Sequence, residues 1–135
     1  MLFKGPRDTS QYHWTNHVKF KMQYYGLSAQ KILGVISRPK RKEEGIVEKT
    51  IAVMQPVSLK IVNGKEIWKS EVWVMYQKLE SRNLKLETKE KFSHDSRYKL
   101  RAARYKIISA WRYPGVSPKR NPIPEEILSE IVEII

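Results

Sequence analysis

The chain contains no cysteine, which excludes disulfide staples and thiolate metal sites and fits a reducing compartment. No apolar run approaches the roughly 18 residues of a membrane span. The first residues, M-L-F-K-G-P-R-D, lack a signal-peptide core, so the expectation is a soluble cytoplasmic protein with no membrane contact. None of the 6 glycines belongs to a phosphate-cradling loop, and no Ser/His/Asp set stands out. His13 and His17 have the i, i+4 spacing of a metal pair on a helix, but an H-E-x-x-H glutamate and a third ligand are missing. No metal and no other cofactor is expected.

Acidic residues are also scarce, at 14 Asp plus Glu against 26 Lys plus Arg, for a formal charge of +12. The imbalance is lopsided. Residues 122–135 hold Glu125, Glu126, Glu130 and Glu133 with no Lys or Arg, so the preceding 121 residues carry +16. Such a body favours polyanions, because each neutralised phosphate releases counterions. Seven Tyr and four Trp among these cations point to RNA or single strands, whose bases stack on rings. The plainer reading is that the charge serves solubility or a loosely ordered basic loop.

A length of 135 residues suits one domain, 1–135, able to bury about two thirds of its unfolded surface. Residues 1–12 read as a tail or short edge segment. From His17 to Pro39 the pattern is helix, corner, helix. Trp14, Val18, Met22 and Tyr25 recur at helical spacing, Gly26 sits where a left-handed cap is wanted, and Ser28 caps the next helix. Ile32, Leu33, Val35 and Ile36 give that helix its buried side, and Pro39 stops it.

Beyond Pro39 the apolar period falls to two. Lys40 to Glu44 suits a short charged strand broken by Gly45. Val47 to Met54 reads as a strand ended by Pro56, and Val57 to Val62 as another, closed by the hairpin pair Asn63-Gly64. Glu71 to Leu79 is apolar on both faces, as a central strand requires. Residues 80–104 read as a basic hairpin or mobile loop, and Tyr105 to Tyr113 as a last strand stopped by Pro114-Gly115. A linker over 114–124 leads to a closing helix with Pro124 at its first position and a stripe of Ile127, Leu128, Ile131, Ile134 and Ile135. The order implies α+β: two helices, a three- to five-stranded antiparallel sheet and a C-terminal amphipathic helix.

The stretch from His17 to Pro39 resembles a family of small uncharacterised bacterial domains. Their pattern runs S-x-H-A-x-x-R-M-x-x-R-G, then Ile or Leu, then Ser, with a second helix and Asn-Pro after it. His17, Met22, Gly26, Leu27, Ser28 and Pro39 fall on the pattern without a gap, and Lys21 takes the place of its first arginine. Val18, Tyr25 and Arg38 depart from it. That family looks like an outlying branch of the RelE, BrnT and barnase-like ribonuclease toxins. The resemblance implies a RelE/BrnT-like fold, metal-independent RNA cleavage by basic and aromatic residues on the sheet and last strand, and an acidic antitoxin-like protein partner.

RNA cleavage without metal needs a base for the 2'-hydroxyl, cations for the charge on phosphorus oxygens, and an acid for the leaving oxygen. An imidazole suits the proton steps, and Arg or Lys the phosphate. His17, Lys21 and Arg112 are therefore the candidate catalytic set. Lys19, Arg41, Arg104, Trp111 and Tyr113 are the candidate nucleic-acid contacts. Each has a structural alternative. His17 can bond the backbone or the strand beneath it, Lys21 can be a solvated flank, and Arg112 can pair with Glu43, Glu44 or the acidic helix. Trp73 and Trp111 suit the core as well as base stacking. Beside the ribonuclease stand two other readings: a non-catalytic RNA-binding or ribosome-associated module, and a structural or interaction protein.

Overall fold

The computed structural model describes residues 5–79 and 104–132. Its elements in chain order are β1 (Tyr12–Trp14), α1 (Asn16–Tyr25), α2 (Ala29–Ser37), β2 (Arg41–Glu44), β3 (Ile51–Val57), β4 (Lys60–Val62), β5 (Lys65–Ile67), β6 (Ser70–Leu79), β7 (Arg104–Pro114) and α3 (Glu125–Val132). The class is α+β.

Both corner residues of the helical pair act through the geometry their types favour. Gly26 ends α1 in the left-handed region, at φ 67°, and the Ser28 hydroxyl accepts the amide of Lys31 at the start of α2. The start of α1 departs from the apolar spacing. Trp14 lies in β1, and Thr15 caps the helix by accepting from the Val18 amide at 3.1 Å.

Five strands form one sheet in the order β1-β7-β6-β3-β2. It is mixed rather than antiparallel, because β1 runs parallel to β7, with Tyr12 beside Tyr105 and Trp14 beside Ile107. The segment before residue 12 thus leads into a paired edge strand. β3 continues through Pro56 to Val57 instead of stopping at the proline. β2 pairs only as far as Met54, so beyond it the outer side of β3 has no strand partner among the described residues, and a residue without an N–H does no harm there.

One irregularity sets which side chains share a face. Met75 pairs with Ser109 and Tyr76 with Ile107, so Ile108 is an extra residue in β7. Without this bulge Ile107 and Trp111 would point the same way. With it, Ile107 and Ala110 join Val18, Met22, Ile32, Val35 and Val74 under the first two helices. Ile108 and Trp111 join Met54, Trp73, Met75, Ile127 and Ile131 under α3.

Residues 114–124 connect β7 to α3 and are anchored to the body. Ser117 and Ile123 are buried, and the Pro122 carbonyl accepts the Trp111 indole N–H at 3.1 Å. In α3, Ile127 and Ile131 are fully buried while Leu128 is only partly covered. Ile134 and Ile135, and most of the expected basic hairpin over 80–104, lie outside the described residues. Among those described, no helix is long and apolar enough to cross a membrane.

Candidate nucleic-acid interface

The bulge that sorts the two cores also organises the α1 side of β7. Beyond its three pairs with β1, the outer edge of β7 is bonded by side chains and caps of α1. Thr15 donates its amide to the Ile107 carbonyl at 3.2 Å, and its hydroxyl lies 2.9 Å and 3.0 Å from the carbonyls of Ile107 and Ile108. Two residues along, His17 Nε2 meets the hydroxyl of the buried Ser109 at 2.9 Å. At the far end, Arg112 Nε donates to the Tyr25 carbonyl at 2.9 Å.

These contacts locate the three candidate catalytic residues. His17 is half-buried, and burial holds its imidazole below the usual histidine range. The nearby Glu130 carboxylate opposes that shift, and the Lys21 ammonium adds to it. The ring is therefore a structural bridge to Ser109 whose charged form burial disfavours. Lys21 is buried instead of solvated, with Nζ 2.8 Å from Glu130 Oε1 on α3. This is a charge contact and not an aligned hydrogen bond. The same ammonium sits 5.7 Å and 5.4 Å from the ring centroids of Phe20 and Tyr24. Arg112 is exposed and bonds backbone rather than an acid.

His17 and Lys21 share one end of the seam, whereas Arg112 anchors at Tyr25, eight residues and about 12 Å along the helix axis from His17. The structure does not bring the three around one phosphate-sized point. The His13 and His17 spacing is likewise not a helical pair, since His13 belongs to β1 and Thr15 caps α1 between them.

Among the candidate contacts, Arg104 is exposed at the start of β7 and Lys19 is partly exposed on α1. Trp111 is fully buried and stacks on Trp73, with centroids 6.0 Å apart. No base can reach it. Tyr113 is half-buried against the same core. Arg41 is committed elsewhere. One terminal nitrogen donates to the Ser117 carbonyl and hydroxyl, both at 2.9 Å, and the other to Glu43 at 2.9 Å and the Pro118 carbonyl at 3.1 Å. Its guanidinium lies 5.2 Å from the Trp73 ring centroid.

Two constellations escaped the sequence reading. The first is centred on Glu71, which is fully buried. Its carboxylate accepts the indole N–H of Trp73 at 2.7 Å, that of Trp68 at 2.9 Å and the Ser117 amide at 3.1 Å. Burial alone would push this carboxyl up, but the bonds from Ser117, Trp73 and Trp68 outweigh it and hold the group below the usual range. The available signal was the clustering of Trp68, Glu71 and Trp73, an acid amid large apolar residues entering a central strand. The second is Asp8 with His13. Asp8 Oδ2 lies 2.5 Å from His13 Nδ1 while Oδ1 accepts the Trp14 amide at 2.8 Å. The Trp14 amide bond, then the His13 bond, keep the Asp8 carboxyl below its ordinary value. His13 is 43% exposed, and its register neighbour on β7 is Lys106. An Asp and a His at this spacing carry no helical or strand periodicity, which is why the pair was invisible.

No protein-family model, no curated protein and no solved structure matches the chain.

Proposed function

We propose that the chain is an RNA-binding domain that holds the phosphate backbone with exposed surface lysines and arginines. The observation that carries the reading is the division of its cations. Lys21 and Arg41 are consumed by the fold, whereas Arg38, Lys49, Lys60, Lys65, Lys69, Lys78, Arg104 and Lys119 are exposed and have no acidic partner among the described residues. Unpaired surface cations at a net charge of +12 are what a sequence-tolerant polyanion binder requires. Titrating a fluorescein-labelled single-stranded RNA with the protein at low salt should raise its anisotropy to a plateau that unlabelled RNA reverses. A flat titration with the RNA still intact would leave only the structural or interaction role.

A second reading, the metal-independent ribonuclease of the small toxin type, is favoured by Asp8 and His13 rather than by the α1–β7 seam. A carboxylate on Nδ1 fixes one tautomer and leaves Nε2 as the base nitrogen of a partly exposed side chain. In that reaction Nε2 takes the 2'-hydroxyl proton, the 2' oxygen bonds phosphorus, and the bond from phosphorus to the 5' oxygen breaks. The Lys106 ammonium protonates the leaving oxygen. Incubation of RNA in EDTA should yield 2',3'-cyclic phosphate ends with the native chain and none with His13→Gln. The RelE/BrnT-like kinship and an acidic protein partner belong to this reading.

A further inference from the structure

The β4–β5 hairpin accounts for much of the exposed apolar surface. Ile61 is 72% exposed, and Leu59, Val62 and Ile67 are close to half exposed. Its two strands form a sheet of their own, joined by Asn63-Gly64 with positive φ at both residues. Among the described residues both outer edges are unpaired. The base is firmly held. Lys69 donates its amide to the Val57 carbonyl and accepts from Gly115, and the Trp68 indole is fixed on Glu71.

Register shows how the chemistry is laid out. Lys60 lies opposite Ile67 and Val62 opposite Lys65, so these four occupy one face, apolar residues alternating with cations. At the base, Ser58, Lys60, Ile67, Trp68 and Lys69 line a shallow depression of about 240 Å³. Glu66, the one acid of the hairpin, is neutralised by Lys40 at 2.7 Å. Lys60, Lys65 and Lys69 have no acidic partner among the described residues.

We infer that this hairpin is the element that grips single-stranded RNA, with Lys60, Lys65 and Lys69 on phosphates and Val62 and Ile67, on the same face as Lys60 and Lys65, against the faces of unstacked bases. The inference rests on the RNA-binding reading above. Cations set beside apolar side chains match a strand that offers charge and flat apolar faces at each step. A purely apolar partner would leave the lysines stranded.

The test uses the full chain and a 12-nucleotide oligo(U). Trp14, Trp73 and Trp111 are buried, so Trp68 is the tryptophan open to a ligand, and its emission should be quenched on binding. The triple variant Lys60→Ala, Lys65→Ala, Lys69→Ala should bind at least tenfold more weakly near 0.1 M salt. The slope of log affinity against log salt should flatten by about two, near 0.7 for each phosphate no longer neutralised. Val62→Ser with Ile67→Ser should weaken binding severalfold at an unchanged slope. These side chains are exposed, and melting followed by circular dichroism checks that each variant keeps its fold. Native affinity and slope in both variants would overturn the hairpin assignment while leaving RNA binding intact. A native chain that ignores oligo(U) but binds phosphatidylserine vesicles or an acidic peptide through Val62 and Ile67 would overturn both.

Discussion

Lys21 on α1 and Glu130 on α3 meet at 2.8 Å across the edge of the sheet, and the contact changes what the lysine can be. A buried ammonium already neutralised has little charge to offer a phosphate. The side chain of Lys21 is 7% exposed and that of Glu130 40%, so solvent screens the pair from one side. Lys21→Met should cost less than about 1 kcal/mol and leave RNA affinity unchanged. Glu130→Gln, which strands the ammonium, should cost more, about 1–2 kcal/mol. Urea denaturation of the two variants gives the comparison.

Glu71 should be the least replaceable polar side chain described. Glu71→Gln keeps the size but removes the charge that three N–H donors and Arg41, 3.8 Å away, converge on. The expected loss is about 2–4 kcal/mol at neutral pH. The carboxyl is held below its ordinary 4.5 in the folded chain. Its contribution is therefore complete above that value and disappears as pH falls through the folded pKa. Glu71→Gln should flatten this part of the acid limb of stability, read as urea midpoint between about pH 5 and 2.

For His17 the sign is the same although the group is a base. Burial lowers its folded pKa below 6.5, so the unfolded chain takes up the proton first. Stability should fall as pH drops from about 6.5 through the folded pKa and then level off. Ser109, Lys21 and Glu130 are the polar groups that face the ring. Deletion of its titration in His17→Gln should remove this step. NMR titration of the imidazole protons against pH gives the folded pKa directly, and a value above 6.5 would contradict the burial argument.

Local chemistry made part of this fold readable in advance. Gly26 and Ser28 announce the α1–α2 corner because caps are written in single residues, and Asn63-Gly64 announces its hairpin for the same reason. The parallel β1 could not be read, since three residues carry no period. Nor could the bulge at Ile108, where one extra residue sends Trp111 into the α3 core and turns Arg112 toward α1. Lys21 looked like a solvated flank or a phosphate ligand because Glu130, its partner, comes from the far end of the chain.

The closing helix gives a further prediction. Its Ile127 and Ile131 are fully buried against Trp73 and Trp111. Removing residues 122–135 should therefore expose that core and yield aggregates at the void volume of a sizing column. A soluble truncated monomer that melts cooperatively would contradict this, and strengthened RNA binding by it would mean that Glu125, Glu126 and Glu130 mask basic surface.

The salt dependence of RNA affinity tests the central claim most directly. With surface cations on phosphates, log affinity for single-stranded RNA should fall linearly with log salt, with a slope steeper than about −2, set by roughly 0.7 for each of several neutralised phosphates. That slope should be the same in a variant carrying both His17→Gln and Lys21→Met. A slope near zero, or one abolished by those two substitutions in a chain that still melts cooperatively, would contradict it.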